Sequence, residues 1–287
     1  MTATSAATDL VTQVEGTERR RRRGRGLGFR MLQGTVSAVL SAGIVLFAWW
    51  AFLQYFDVDP YIGKGPSDVW HYLFSGPQAS AHRRFVSDGS LLTLRDAAIG
   101  LVLGTAAAVA AAMLFNASRA AERALMPIAM VLRSVPVFAM TPVIAITFGR
   151  NLRAVAVVAS IVTFFPTLVN VTLALRAAPQ ESLDLLRAYG GSRAATMRKV
   201  QFPSALPALF ASLRVAAPLA IVGALLAEWL ASGEGLGHEI IVTSSTSEFS
   251  AMWAMVVLAT IYSIVLYKVI GAIEGRVLAR YAPGYGK

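Results

Sequence analysis

The sequence predicts an all-α polytopic membrane protein with six transmembrane helices. Three observations lead there. Six long apolar runs recur along 287 residues, of which 56% are hydrophobic and 15% charged; soluble domains are far less apolar. The Lys and Arg residues crowd into alternate gaps between those runs, as the positive-inside rule requires of a multi-pass protein. A basic stretch rich in Gly and Pro, residues 176–204, separates the fourth run from the fifth.

Composition also excludes function classes. With no cysteine there are no disulfides and no thiolate metal sites. A net charge of +10 would suit a nucleic-acid binder. Here the charge sits between apolar runs, on alternate sides of a bilayer in unequal numbers, so no nucleic-acid partner is expected. Gly63-Lys64-Gly65 lacks the spacing of a phosphate loop. There is no dinucleotide fingerprint, hydrolase elbow or metal-ligand cluster. The chain is therefore not expected to be an enzyme, and no catalytic residue, cofactor or metal is assigned.

In chain order, residues 1–33 read as a disordered cytoplasmic tail carrying Arg19 to Arg23, Arg25 and Arg30. The first span, 34–56, is too long for a signal-peptide core. Trp49, Trp50 and Tyr55 suit its outer interface. Residues 57–90 are polar and read as an extracytoplasmic loop. His71 and His82 there lack partner ligands and read as solvent residues. The five-helix remainder covers 91–273, with a cytoplasmic tail at 274–287.

The second span, 91–115, has Gly100, Gly104, Ala108 and Ala112 on one helical face. Small residues at that spacing let helix backbones approach closely, and packing within the chain is the expected use. The third, 124–148, contains Pro127, Pro136 and Pro142, each of which removes a hydrogen bond and bends the rod. The fourth, 154–175, contains Pro166, and the sixth covers 249–273. The fifth, 205–231, contains Arg214, Pro218 and Glu228. Broken backbone bonds in lipid must be re-satisfied by neighbours or water, so Pro136, Pro142 and Pro218 suit a cavity wall. Ionisable residues within spans are functional candidates, which adds Arg133 and Glu228 as pathway candidates. Arg133 has snorkelling as its other reading. Glu228 has another too, that of holding the Gly235-Leu236-Gly237 loop at the outer interface.

The loop between the fourth and fifth spans carries its own local code. Pro179 suits a first helical turn, and Glu181 and Asp184 suit that end of the dipole. Gly190 or Gly191 can close the short helix in a left-handed cap. Ser192 can N-cap a second helix over 193–200. Phe202-Pro203 is expected to stop it.

At these residues the chain resembles the permease subunits of binding-protein-dependent ABC importers. Their cytoplasmic loop reads E-A-A-x-x-x-G, nine residues, then I-x-L-P. Here Asp184 stands at the Glu, Leu185 and Leu186 at the alanines, and Gly190 at the glycine. Val200 stands for the Ile, Phe202 for the Leu, and Pro203 matches the proline. Three further segments are similar to the nitrate, sulfonate and taurine branch of that family. They are Gly65-Pro66-Ser67-Asp68-Val69-Trp70, Arg133-Ser134-Val135-Pro136, and Ala227-Glu228 followed by Gly235-Leu236-Gly237 and Ile240.

The resemblance implies a type I importer permease, a bacterial inner-membrane protein passing a small solute. Its cargo would be a nitrate-, sulfonate- or taurine-like anion or a vitamin precursor. It also implies a separate ATP-binding cassette subunit, an extracytoplasmic solute-binding protein and a second permease subunit. The loop would hold coupling helices that dock on the ATPase, with Gly191, Met197 and Val200 on the docking segment. The alternative is a gradient-driven secondary transporter, which usually shows internal repeats and midplane ion ligands. Neither is visible here.

Charge fixes the expected topology. With both ends cytoplasmic, the inner segments hold 18 Lys and Arg, the outer loops 5 and the spans 3. In this cysteine-free chain, Ser192→Cys should label only from the cytoplasmic side, and Ser80→Cys from outside. Outside labelling at position 192 would overturn the arrangement.

Overall fold

The computed structural model describes residues 36–281. The described residues are helical with no strand, and the chain divides into two units, Met1–Ser67 and Asp68–Lys287. The expected tail at 1–33, the first two residues of the first span and residues 282–287 lie outside the described residues.

In the first unit, α1 is Val36–Tyr55. Its 20 residues reach roughly 30 Å at the α-helical rise, the thickness of a hydrocarbon core. Phe52 and Phe56 pack at 4.7 Å near its end, and Asp57 turns the chain at φ 47°.

The division falls within α2, Pro66–Trp70, which runs into a π-helical turn, His71–Ser75, in the second unit. Then come α3 (Ala79–Ala117), α4 (Arg119–Ser134), α5 (Val137–Phe148) and α6 (Leu152–Arg176). Next are α7 (Gln180–Ala188) and α8 (Arg193–Thr196), then a second π turn at Met197–Gln201. The chain ends in α9 (Phe202–Ala231), α10 (Leu236–Ser245) and α11 (Phe249–Tyr281).

Three differences from the sequence reading have clear causes. First, residues 79–90 belong to α3 and not to a loop, because Val86, Gly89 and Ser90 are buried and Ser90 Oγ back-bonds to Val86. His82 is held there as well, its ring stacked on Tyr72 at 3.9 Å and Nδ1 3.0 Å from the Tyr72 carbonyl oxygen. Second, the third span is two helices bent by 102°. The break falls at Pro136, where Val135 is extended as a residue before proline must be. Pro127, Pro142, Pro166, Pro207 and Pro218 all lie inside continuous helices. Third, Leu236 and Gly237 of the expected Gly235-Leu236-Gly237 loop open a helix, α10. Among the described residues five helices are long and apolar enough to cross a membrane, and α4 with α5 forms a bent pair that makes a sixth crossing if it spans.

The core of the second unit is where α3, α6 and α9 meet at Ala159, which is fully buried. A Cβ on Gly100 would lie 2.3 Å from Ala159 Cβ, and one on Gly223 would lie 3.0 Å from Ala159 Cα. One turn along, a Cβ on Gly104 would lie 2.1 Å from Thr163 Oγ1 and 2.5 Å from the Ser160 carbonyl oxygen. The stripe of small residues on α3 is thus spent inside the chain, on α6. Thr163 Oγ1 adds an interhelical bond to the Gly100 carbonyl at 3.3 Å.

Backbone cannot retreat as a side-chain tip can, so Gly104→Ala should destabilise the fold by about 1–3 kcal/mol or more. Gly43→Ala on α1, where an added Cβ meets nothing within 4 Å, is the control. The thermal midpoint of detergent-solubilised protein should fall for the first and hold for the second. Equal midpoints would refute the close crossing.

Candidate functional site

The loop from α6 to α9 is built by local chain chemistry. Pro179 stands at the N-cap of α7, and its carbonyl accepts from Leu183 N at 3.2 Å. The helix ends in a Schellman motif. Gly191 N donates to the Leu186 carbonyl at 2.8 Å, and Gly190 N donates to that of Arg187 at 2.9 Å. Gly190 carries the left-handed residue at φ 72°, which glycine adopts without steric cost. Gly191 is not interchangeable with it, since a Cβ there would lie 2.7 Å from the Leu186 carbonyl oxygen.

Leu183 anchors α7, being 5% exposed. The opposite face is open: Leu185 is 61% and Tyr189 83% exposed, and Asp184 pairs with Arg187 at 3.0 Å. Ser192 Oγ accepts from Ala195 N at 3.2 Å, the expected N-cap. The second helix does not stop at Phe202-Pro203. It passes through the π turn straight into α9, with Pro203 in the first turn, where a missing N–H costs nothing. Residues Arg193–Ala231 thereby form one rod of 39 residues. Met197, placed by the sequence on an outward face, packs instead against the buried cluster of Ala108, Ala112, Phe115, Leu168 and Leu175. Val200 and Phe202 are half-buried.

At the far end of α9, Glu228 is fully buried. Its Oε2 accepts from Thr93 Oγ1 at 2.8 Å and from Gly237 N at 2.9 Å. Thr93 Oγ1 in turn accepts from Leu236 N at 2.9 Å. Gly235 turns the chain at φ 94°, and a Cβ there would lie 2.4 Å from Glu228 Cδ. The first two N–H groups of α10 are thus satisfied by side chains from α3 and α9, as a helix start in a dry site demands. Of the two readings of Glu228, the geometry gives the one that holds Gly235-Leu236-Gly237.

The family model for the inner membrane component of binding-protein-dependent transport systems matches residues 100–282. The chain belongs to this family.

Among its relatives is a probable ABC transporter permease protein of Haemophilus influenzae, 30% identical over 80% of this chain and 91% of that protein. The riboflavin transport system permease protein RibX of Chloroflexus aurantiacus is 32% identical over 56% of this chain and 59% of its own. The nitrate import permease protein NrtB of Leptolyngbya laminosa is 27% identical over 65% of this chain and 67% of its own. A solved inward-facing structure of the MetNI methionine ABC transporter aligns with a TM-score of 0.56 at 21% identity, over 71% of this chain and 99% of that one. The last shows the fold, that of a type I importer permease. The permease is accordingly a multi-pass transport component and not an enzyme. As a member of a binding-protein-dependent system it works with an ATPase and a solute-binding protein.

The remaining pathway candidates of the permease lie on three helices. Arg133 lies exposed in the last turn of α4, Pro136 at the start of α5 and Pro142 within α5. Pro218 lies inside α9, half-buried. Arg214, another charge of the fifth span, is ion-paired with Glu274 of α11. Thr93, which completes the Glu228 latch, was missed in the sequence, because a lone threonine in a span names no partner.

Glu228→Gln keeps an acceptor for Thr93 and Gly237, so assembly should be near normal. Glu228→Ala leaves the buried Gly237 N–H unpaired, at about 1–3 kcal/mol, while Thr93 Oγ1 keeps the Gly89 carbonyl oxygen at 3.1 Å. The alanine variant should be cleaved faster by added protease between Ser232 and Gly237. Equal resistance in both variants would mean that the latch holds nothing.

Proposed function

We propose that the outer face of α7, centred on Asp184, Leu185 and Tyr189, docks on the ATP-binding subunit. The observation that carries this is the Schellman-capped helix itself. It is anchored by Leu183 on one side and presents two large exposed apolar side chains on the other. An apolar face of that kind suits a helix-in-groove partner. Motion of the docked segment would enter α9 directly through the unbroken rod. Alternating access would follow as ATP closes the nucleotide-binding partners and moves the docked segments.

The same reading places both chain ends in the cytoplasm, α7 among them, and the solute-binding protein on the opposite face. It pairs this chain with a second permease subunit, the route lying between the two. The cargo class is a small solute such as a vitamin-type heteroaromatic or a small oxyanion. Support for the first is the relative named for riboflavin, and for the second the relative named for nitrate. Titration of the cognate binding protein with both classes decides between them.

Gly190→Val forces a β-branched residue to φ 72°, which costs about 1–2 kcal/mol and re-aims α8. The variant should insert normally, since the change lies outside the spans. Reconstituted with its ATPase and binding protein, it should lose most uptake, with hydrolysis no longer stimulated by loaded binding protein. Leu185→Asp should do the same without touching the cap. Wild-type coupled uptake in both variants would make this stretch a surface loop only.

A further inference from the structure

We propose that the cavity between α7 and the ends of the spans binds a phosphate group, carried by an anionic lipid headgroup or by a soluble phosphate compound. The cavity measures about 580 Å³, within the size range of small-molecule sites. Its lining is mainly polar and basic, with Arg119 and Arg123 from α4, Arg176 from α6 and Arg187 from α7. Asn116 and Gln201 form part of the wall and hydrogen-bond to each other at 3.0 Å, tying the end of α3 to the start of α9.

The charge within this lining is unbalanced. Glu122 is the one carboxylate in it, and that group is ion-paired with Arg176. Arg187 has Asp184, which stands outside the lining. Arg119 and Arg123 have no ion pair among the described residues. Guanidinium groups at one cavity repel each other unless an anion lies between them. Their planar forks fit phosphate oxygens in bidentate pairs, and amides beside them supply further donors. Basic pockets between membrane helices at the bilayer surface are suited to lipid headgroups on the same grounds.

The cavity lies on the bundle side of α7, lined by Gln180, Leu183 and Arg187. The exposed residues Leu185 and Tyr189 lie on the other side. An occupant would therefore bridge the span ends to α7 without competing for the proposed docking face. Binding is read on the permease alone, so its failure and a failure of ATPase coupling are separate results.

The test uses the purified full chain in uncharged detergent at matched ionic strength. Inorganic phosphate and AMP form one arm, phosphatidylglycerol the other, with chloride and phosphatidylcholine as controls. One arm should show saturable binding and a raised thermal midpoint, and which arm responds identifies the source. Arg119→Gln with Arg123→Gln should weaken that binding by roughly tenfold, as loss of charge-assisted bonds predicts. Arg150→Gln with Arg153→Gln, the same charge change at the far end of α6, should leave it within about twofold, as screening over that distance predicts. If the first pair fails to fold, Arg119→Lys with Arg123→Lys keeps the charge and removes the forks, and should still weaken binding. No saturable binding in either arm, equal loss in the two glutamine pairs, or unchanged binding in the lysine pair would each overturn the proposal.

Discussion

Ala159 is the point at which three helices come within backbone contact, and most of the second unit depends on that crossing. Gly100 faces it from α3, where there is no room for one more carbon atom, and Gly223 from α9, where one would crowd Ala159 Cα at 3.0 Å. In lipid there is little hydrophobic drive to bring helices together, so dispersion contact between close backbones must supply much of the association. Alanine, glycine and threonine do this here. Ala97, Ala154, Ala216, Ala220 and Ala224 are all buried around the same crossing. Once α3, α6 and α9 are locked there, their ends are fixed in space. One set of ends carries the Glu228 latch, and the other carries α7.

Three polar pairings join helices across the second unit. Glu228 and Thr93 bring α9 and α3 to the start of α10. Arg214 meets Glu274, joining α9 to α11, and Arg176 meets Glu122, joining α6 to α4. Each pair offsets part of the cost of taking its groups out of water, a cost that is greatest for the fully buried Glu228. Each also fixes the rotation of one helix against another, which small apolar residues specify less sharply. At Pro136 the chain takes the other course and gives up the helix, turning by 102° between α4 and α5.

The loop at α7 shows how an output device can be mounted on such a body. Leu183 is its one fully buried apolar anchor, and its start and stop are written in Pro179, Gly190 and Ser192. What makes it mechanically useful is the unbroken passage from α8 into α9, since a displacement at Arg193 has no hinge to absorb it before the Ala159 crossing.

The sequence by itself determined whatever depends on near neighbours along the chain. The apolar runs, the asymmetry of Lys and Arg, a left-handed glycine cap at Gly190 or Gly191 and the N-cap at Ser192 are of this kind, because a cap or a span is settled within a few residues. The family resemblance was legible for a similar reason, since its motifs keep fixed spacing. Only the tertiary structure decided what required a partner far along the chain. It turned Met197 inward because α3 and α6 offer an apolar cluster there. It also gave Glu228 the task of holding α10, because Thr93 lies opposite. Pro136 became the one break, since the helices holding the other prolines stay continuous as they pack. Apolar side chains and carboxylates carry no mark of which neighbour they will meet; that is settled only when backbones approach as closely as they do at Ala159.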